Sequence, residues 1–247
     1  MYQFFVDETQ IAEGIVTIAN GDVNHIKNVL RMKCGEKVRI SSDSGKNYYG
    51  EIDRIEERMV QVRLLDEDAE DTELTNRIYL FQGLPKSDKM ELIVQKAVEL
   101  GVYEIIPVAM KNCVVKLDEK KAVAKTSRWQ EIARSAAKQS KRSRIPTVRM
   151  PMSYKEAMEE AAKLDVRLLP YENERGMAAT RAVVEAIRPG MSIGIFIGPE
   201  GGFAEDEIAL AKEKQVQLIS LGRRILRTET AGLATLSILM YHIESAP

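Results

Sequence analysis

Ile195-Phe196-Ile197-Gly198-Pro199-Glu200-Gly201-Gly202-Phe203 runs an unbroken apolar stretch into three glycines and a proline, with a helix-like segment from Glu205 to Lys214 behind it. A strand apolar at successive positions is buried on both faces, the condition of a parallel sheet covered by helices on each side. Glycine after such a strand lets the main chain turn and approach a ligand with no Cβ in the way. The loop is neither G-x-G-x-x-G nor followed by G-K-[ST], which disfavours dinucleotide and P-loop sites; a tight β-to-α turn is the bland alternative.

The same rhythm extends back to Arg77. Ile78 to Phe81, Val102 to Val108, Val166 to Leu169 and Val216 to Leu221 read as further buried strands alternating with amphipathic helices. The helix from Asp88 to Leu100 carries Met90, Ile93, Val94, Ala97 and Val98 on one stripe, with Ser87 or Asp88 as cap and Gly101 as a left-handed stop. Similar helices are predicted near 122–139, 153–164, 177–187, 205–214 and 230–243. The alternation predicts an α/β fold with ligands beyond the C-terminal ends of the strands.

Two more loops sit at such strand ends. Leu221-Gly222-Arg223-Arg224-Ile225-Leu226-Arg227-Thr228-Glu229-Thr230-Ala231-Gly232 leads into an apolar helix, for which Thr228 or Thr230 is a natural N-cap. Arg227 and Glu229 set charge against that helix start, either for chemistry or as a local ion pair. In Gly83-Leu84-Pro85-Lys86-Ser87-Asp88-Lys89, Lys86 and Lys89 either meet a phosphate at a helix N-terminus or belong to a solvent-facing capped turn. Glu99 is placed to pair with Lys96.

The first 70 residues differ in kind. Phe4 to Val6, Ile15 to Ile18, Lys37 to Ser41, Tyr48 to Ile55 and Val60 to Leu64 read as short strands punctuated by glycines. One short helix, capped by Asn20 or Asp22, holds Val23, Ile26, Val29 and Leu30 at helical spacing, with His25 on its polar side. The acidic stretch from Asp66 to Glu73 reads as a linker because repelling charges do not pack. Two domains follow, 1–72 and 73–247. Residues 1–72 hold 9 basic and 15 acidic side chains, net −6; residues 73–247 hold 27 and 22, net +5. From Lys120 to Arg149 ten basic residues face only Glu131, which makes that segment a polyanion-binding surface or a merely soluble helix. Trp129 has Ile132 and Ala133 at helical spacing and reads as packing.

Several classes are excluded or disfavoured. No apolar run is long enough to cross a bilayer, and the N-terminus lacks the pattern of a signal peptide, so the expected location is cytoplasmic. Cys34, Cys113, His25 and His242 are too few and too scattered for a metal cluster, so none is expected. No G-x-S-x-G elbow occurs, and hydrolase chemistry has little support.

Taken together, Leu84-Pro85-Lys86, Gln95 to Val102, Arg128-Trp129, Ala136 to Arg142, Gly198 to Phe203 and Leu221 to Ala231 closely resemble the RsmE family of the SPOUT superfamily, nearly end to end. Asn24 to Arg31 looks like the helical signature of that family's N-terminal module. The resemblance implies a small PUA-like β-barrel that helps to bind RNA, then a SPOUT α/β domain with a parallel sheet and a C-terminal trefoil knot. It implies S-adenosylmethionine as cofactor, bound by Leu169, Pro170, Tyr171 and Glu172, by Ile197, Gly198, Pro199, Glu200, Gly201 and Gly202, and by Leu221, Gly222, Ile225, Leu226, Thr230 and Ala231. The implied reaction is methylation of a uridine N3 in 16S rRNA of the small ribosomal subunit, by a homodimer. Because N3 carries a proton, the site needs a base or a stabilising cation, and Glu229 and Arg227 are the catalytic candidates. Lys86, Arg134, Lys138, Lys141, Arg142 and Arg144, with His25 and Arg31, are candidates for RNA contact. Two other readings stay open: a SPOUT methyltransferase acting on a ribose hydroxyl or a tRNA base, and a non-catalytic ribosome-assembly factor that binds RNA.

Overall fold

The computed structural model describes every residue except Asn20, Glu70, Asp71, Arg175, Ala246 and Pro247. The alternative cap Asn20 and part of the acidic stretch therefore lie outside the described residues. The chain divides into two compact units: residues 1–73 with Ala137–Ile145, and Leu74–Ala136 with the residues from Pro146 onward.

In the first unit, β1 (Tyr2–Val6), β2 (Ile11–Ala12), β3 (Ile15–Ala19), β4 (Lys37–Ser42), β5 (Asn47–Ile55) and β6 (Met59–Glu67) form one sheet, a half-barrel in the order β1-β4-β5-β6-β3-β2. Side chains alternate along each strand, so Phe4 and Val6, Val16 and Ile18, Val38 and Ile40, and Val60 and Val62 share one buried core. Val23 and Ile26 join it from α1 (Gly21–Asn24) and the π-helical turn His25–Val29 that continues it. The Leu30 N–H donates to the His25 carbonyl (2.8 Å), and this wider turn breaks the 3.6-residue stripe. Val29, expected on the apolar side, is exposed as a result.

The acidic stretch is no simple linker. Asp66 and Glu67 end β6, and Asp68 is buried 2.8 Å from Arg39. Glu73 binds Arg142 through Nε at 2.9 Å and through a second, shorter bond, and it also accepts the Ser143 N–H at 2.9 Å. Opposite charge, supplied by residues distant in sequence, packs what self-repulsion alone would leave in water. Around these pairs Gln3, Ser41, Asn47 and Ser143 form a buried hydrogen-bonded chain. Gln3 Nε2 donates to Ser41 Oγ (2.7 Å), Ser41 to Asn47 (2.6 Å) and Asn47 to Ser143 (2.8 Å).

In the second unit, β7 (Arg77–Gly83), β8 (Glu104–Ala109), β9 (Thr147–Val148), β10 (Met152–Ser153), β11 (Val166–Pro170), β12 (Ser192–Ile197) and β13 (Gln217–Ile219) form a seven-stranded sheet. Its order is β10-β8-β7-β12-β11-β13, with β9 beside β8, and every pairing is parallel. The helices are α2 (Lys89–Glu99), α3 (Glu119–Gln139), α4 (Tyr154–Ala161), α5 (Ala178–Glu185), α6 (Glu205–Glu213) and α7 (Thr228–Glu244). Phe81 and Phe196 stack at 4.5 Å between ring centroids, with Tyr154 of α4 edge-on to Phe196. Leu80 and Gln82 point the opposite way, towards α7, where they face Gly232. Both faces of the sheet are thus covered, which accounts for the apolar runs in its central strands.

β7 lies between β8 and the late strand β12. Chain direction across the sheet reverses there, and the crevice beyond the strand ends at such a point is where open parallel sheets bind ligands.

Candidate functional site

Beyond the C-terminal ends of β11, β12 and β13 lies a cavity of about 470 Å³. The loop after β11 contributes Pro170, Tyr171 and Glu172. The glycine loop contributes Ile197, Gly198, Pro199, Glu200, Gly201, Gly202 and Phe203, and the loop after β13 contributes Ser220 to Thr228 and then Ala231. The glycine loop is held from two sides. Asn112 Nδ2 donates to the Gly201 and Gly202 carbonyls (3.0 and 3.2 Å). At Gly83 a Cβ would stand 2.7 Å from the Pro199 nitrogen, so only glycine lets the end of β7 approach. In the opposite wall Gly222 turns at φ +107°, which a side chain would resist.

Most of the residues expected at a cofactor site come together in this lining, as does Arg227. Leu169 is instead buried in β11, and Thr230 is exposed on α7. Glu229 lies outside the lining, its carboxylate 3.3 Å from Lys89 Nζ. Arg223, Arg224 and Thr228 fall within the stretch Leu221 to Ala231 that the resemblance set against the cofactor, whereas Phe203 and Ser220 were not expected there, and Lys89 was left between a phosphate contact and a solvent-facing turn. Phe203 closes the glycine loop and Ser220 directly precedes the loop from Leu221, and that adjacency was the available signal.

Lys89 sits between two carboxylates, 2.9 Å from Glu200 and 3.3 Å from Glu229, and the Glu200 bond first of all holds its ammonium above the ordinary value. Partial burial opposes ionisation of Glu200, but the Lys89 ammonium and backbone N–H donors, that of Lys86 among them, outweigh it and lower the carboxyl. The anion at the start of α2 is thus the protein's own Glu200, where the sequence suggested a phosphate. A carboxyl lowered in the folded state adds stability that is complete above its ordinary value of 4.5 and lost as pH falls through its folded value. Lys89→Met is therefore expected to be less stable at neutral pH. Its melting temperature should fall less steeply than wild type on acidification below 4.5, and equal slopes in a pH series of thermal melts would refute the coupling.

Thr228 is not the cap expected from the sequence. The N-cap of α7 is Arg227, without a side-chain cap bond. The Thr228 hydroxyl donates to the Gly198 carbonyl (2.6 Å) and accepts from Gln82 Nε2 (2.9 Å). Among the described residues Arg223, Arg224 and Arg227 form no ion pair, and all three are exposed at the cavity.

The basic segment is not one free face. Arg142 is buried on Glu73, so it does not offer its charge to a polyanion as the sequence suggested. Lys138 is 2.7 Å from Asp22, and Arg134 is 3.8 Å from Glu131. Lys141 is exposed, as are Lys86, His25 and Arg31, whereas Arg144 is half-buried. Trp129 is buried, and Lys96 and Glu99 bond at 2.8 Å. Among the described residues no group of His, Cys, Asp and Glu could hold a metal ion, and no helix is long and apolar enough to cross a membrane.

The RNA methyltransferase domain family matches residues 72–240, and the RNA methyltransferase PUA domain family matches residues 18–65. The chain is 37% identical to ribosomal RNA small subunit methyltransferase E of Bacillus subtilis (strain 168), over 99% of this chain and 98% of the relative. The structure of ribosomal RNA small subunit methyltransferase E from Neisseria gonorrhoeae bound to S-adenosyl methionine aligns at TM-score 0.83 and 35% identity, over 96% of each chain. A Legionella pneumophila methyltransferase in complex with SAM aligns at TM-score 0.86 and 30% identity, over 97% of each. On matches that run the length of both units, the chain belongs to the family of ribosomal RNA small subunit methyltransferase E.

Proposed function

We propose that this protein uses S-adenosylmethionine to methylate N3 of a uridine in 16S rRNA of the small ribosomal subunit, acting as a cytoplasmic homodimer whose C-terminal segment is knotted. The observation that carries the reading is the cavity, lined together by the glycine loop after β12 and by the loop after β13 with its three arginines.

Its dimensions suit a nucleoside-sized ligand. Main-chain donors and acceptors of Gly198 to Gly202 and of Leu221 to Leu226 suit an adenine edge, and Ile197, Leu221 and Leu226 suit its faces. When bound, the cofactor supplies an electrophilic methyl on its sulfonium.

The protein's part is to place N3 in line with that methyl and to favour loss of the N3 proton. The N3 proton passes to solvent water, and Arg227 is assigned to stabilise the negative charge left on the uracil ring. Glu229, the base expected from the sequence, is assigned to hold Lys89, since its carboxylate lies 3.3 Å from Lys89 Nζ and outside the cavity lining. Lys86, Lys141, Arg144, His25 and Arg31 are assigned to RNA backbone, contacts that set affinity more than sequence choice.

The test is to incubate the protein with labelled S-adenosylmethionine and small subunits from cells that lack the gene, then to digest the RNA and identify the labelled nucleoside by mass spectrometry. N3-methyluridine as the one labelled product is expected. Label on a ribose or only on tRNA would move the target, and bound but unlabelled RNA would leave a binding factor.

A further inference from the structure

The wall between the glycine loop and α7 is held by a short relay whose protons can be assigned. Thr228 has one hydroxyl proton, and the Gly198 carbonyl 2.6 Å away can only accept it. Towards Gln82 the hydroxyl therefore accepts, and the Gln82 amide must present its NH2, at 2.9 Å. The other amide proton goes to the Gly83 carbonyl, also at 2.9 Å. Both protons of the NH2 are committed, so the amide cannot turn over.

This orientation leaves Gln82 Oε1 with no partner among the described groups, on a side chain that is 0% exposed in the buried half of β7. The oxygen faces Gly232 of α7, where even a Cβ would stand at ordinary contact distance, 3.6 Å, and would offer it no hydrogen bond. An unpaired buried carbonyl is destabilising, and an apolar residue in its place would avoid it. What the amide provides in return is alignment: it ties the end of β7 to the first residue of α7, and through Thr228 to Gly198, and the last two both line the cavity.

We infer that Gln82 is a positioning residue for cofactor binding, acting through the Thr228 hydroxyl to fix the Gly198 wall of the cavity. The inference rests on the proposed use of S-adenosylmethionine at this site. It gives Gln82 a role opposite to that of a core residue: it lowers stability and raises affinity.

The experiment is calorimetric titration of the whole protein with S-adenosylmethionine, beside thermal melts and steady-state kinetics. Gln82→Met keeps the buried volume and removes the unpaired oxygen. It is expected to melt no lower than wild type yet to bind the cofactor about tenfold more weakly, the size of one well-placed hydrogen bond. The cofactor KM should rise in step, with kcat at saturation within about twofold, because the reacting groups are untouched. Thr228→Val should weaken binding as much, and Thr228→Ser should restore it. The double variant Gln82→Met/Thr228→Val should be no weaker than Thr228→Val, as expected for one linked unit. Wild-type affinity in Gln82→Met, or a Thr228→Ser protein as weak as Thr228→Val, would overturn the relay. A wild-type protein that binds no S-adenosylmethionine would instead overturn the proposed function beneath it.

Discussion

Arg227→Ala is expected to lower methyl transfer to small subunits by about 10²–10³-fold in kcat, the usual loss when one preorganised donor to developing negative charge is removed. Its fold should be unaffected: the side chain is exposed and makes no ion pair among the described residues, and such substitutions change stability by about 0.5 kcal/mol or less. Arg227→Lys keeps the charge but not the planar fork and should recover only part of the rate. The pH profile adds a second check. If Arg227 favours loss of the N3 proton, its removal moves the rising limb of kcat to higher pH. A variant that turns over normally, or one whose profile is merely scaled down, would remove Arg227 from that role.

Arg142→Ala is the change with the largest expected effect on stability. Its guanidinium is buried against Glu73, whose side chain is 19% exposed, and removing the cation is expected to cost about 3 kcal/mol, the low end for a buried pair, because a mostly buried carboxylate loses its counter-charge. The double substitution Glu73→Leu/Arg142→Met should recover only part of that loss, since it removes both charges but leaves the buried Ser143 N–H without its Glu73 acceptor. Lys141→Gln, one position away and exposed, should leave denaturant midpoints unchanged. It should weaken RNA binding, with a salt dependence shallower by about one phosphate contact. These adjacent residues, alike in sequence, are thus expected to fail in different assays. Equal stability loss in both would remove the distinction drawn from their burial.

The sequence by itself determined the order and kind of most elements in both units. Apolar runs such as Ile193 to Ile197 cannot be exposed on either face, and the stripe from Met90 to Val98 suits only a helix packed on one side. It also located the glycine loop and the loop from Leu221 to Ala231, because glycine and charge at a strand end are local features. Tertiary structure decided which charges and hydroxyls take part. Asp68 and Glu73 read as solvated acids until Arg39 and Arg142, 29 and 69 positions away in the chain, neutralise them. Arg142 and Lys141 differ only in which way the turn points them. Glu229, outside the cavity lining, pairs with Lys89, and Thr228, inside the helix rather than at its cap, meets Gln82, partners 140 and 146 positions distant. Periodicity records the face that a residue presents, but it holds no information on which distant polar group will meet it there, and in a buried site that meeting sets protonation, orientation and role.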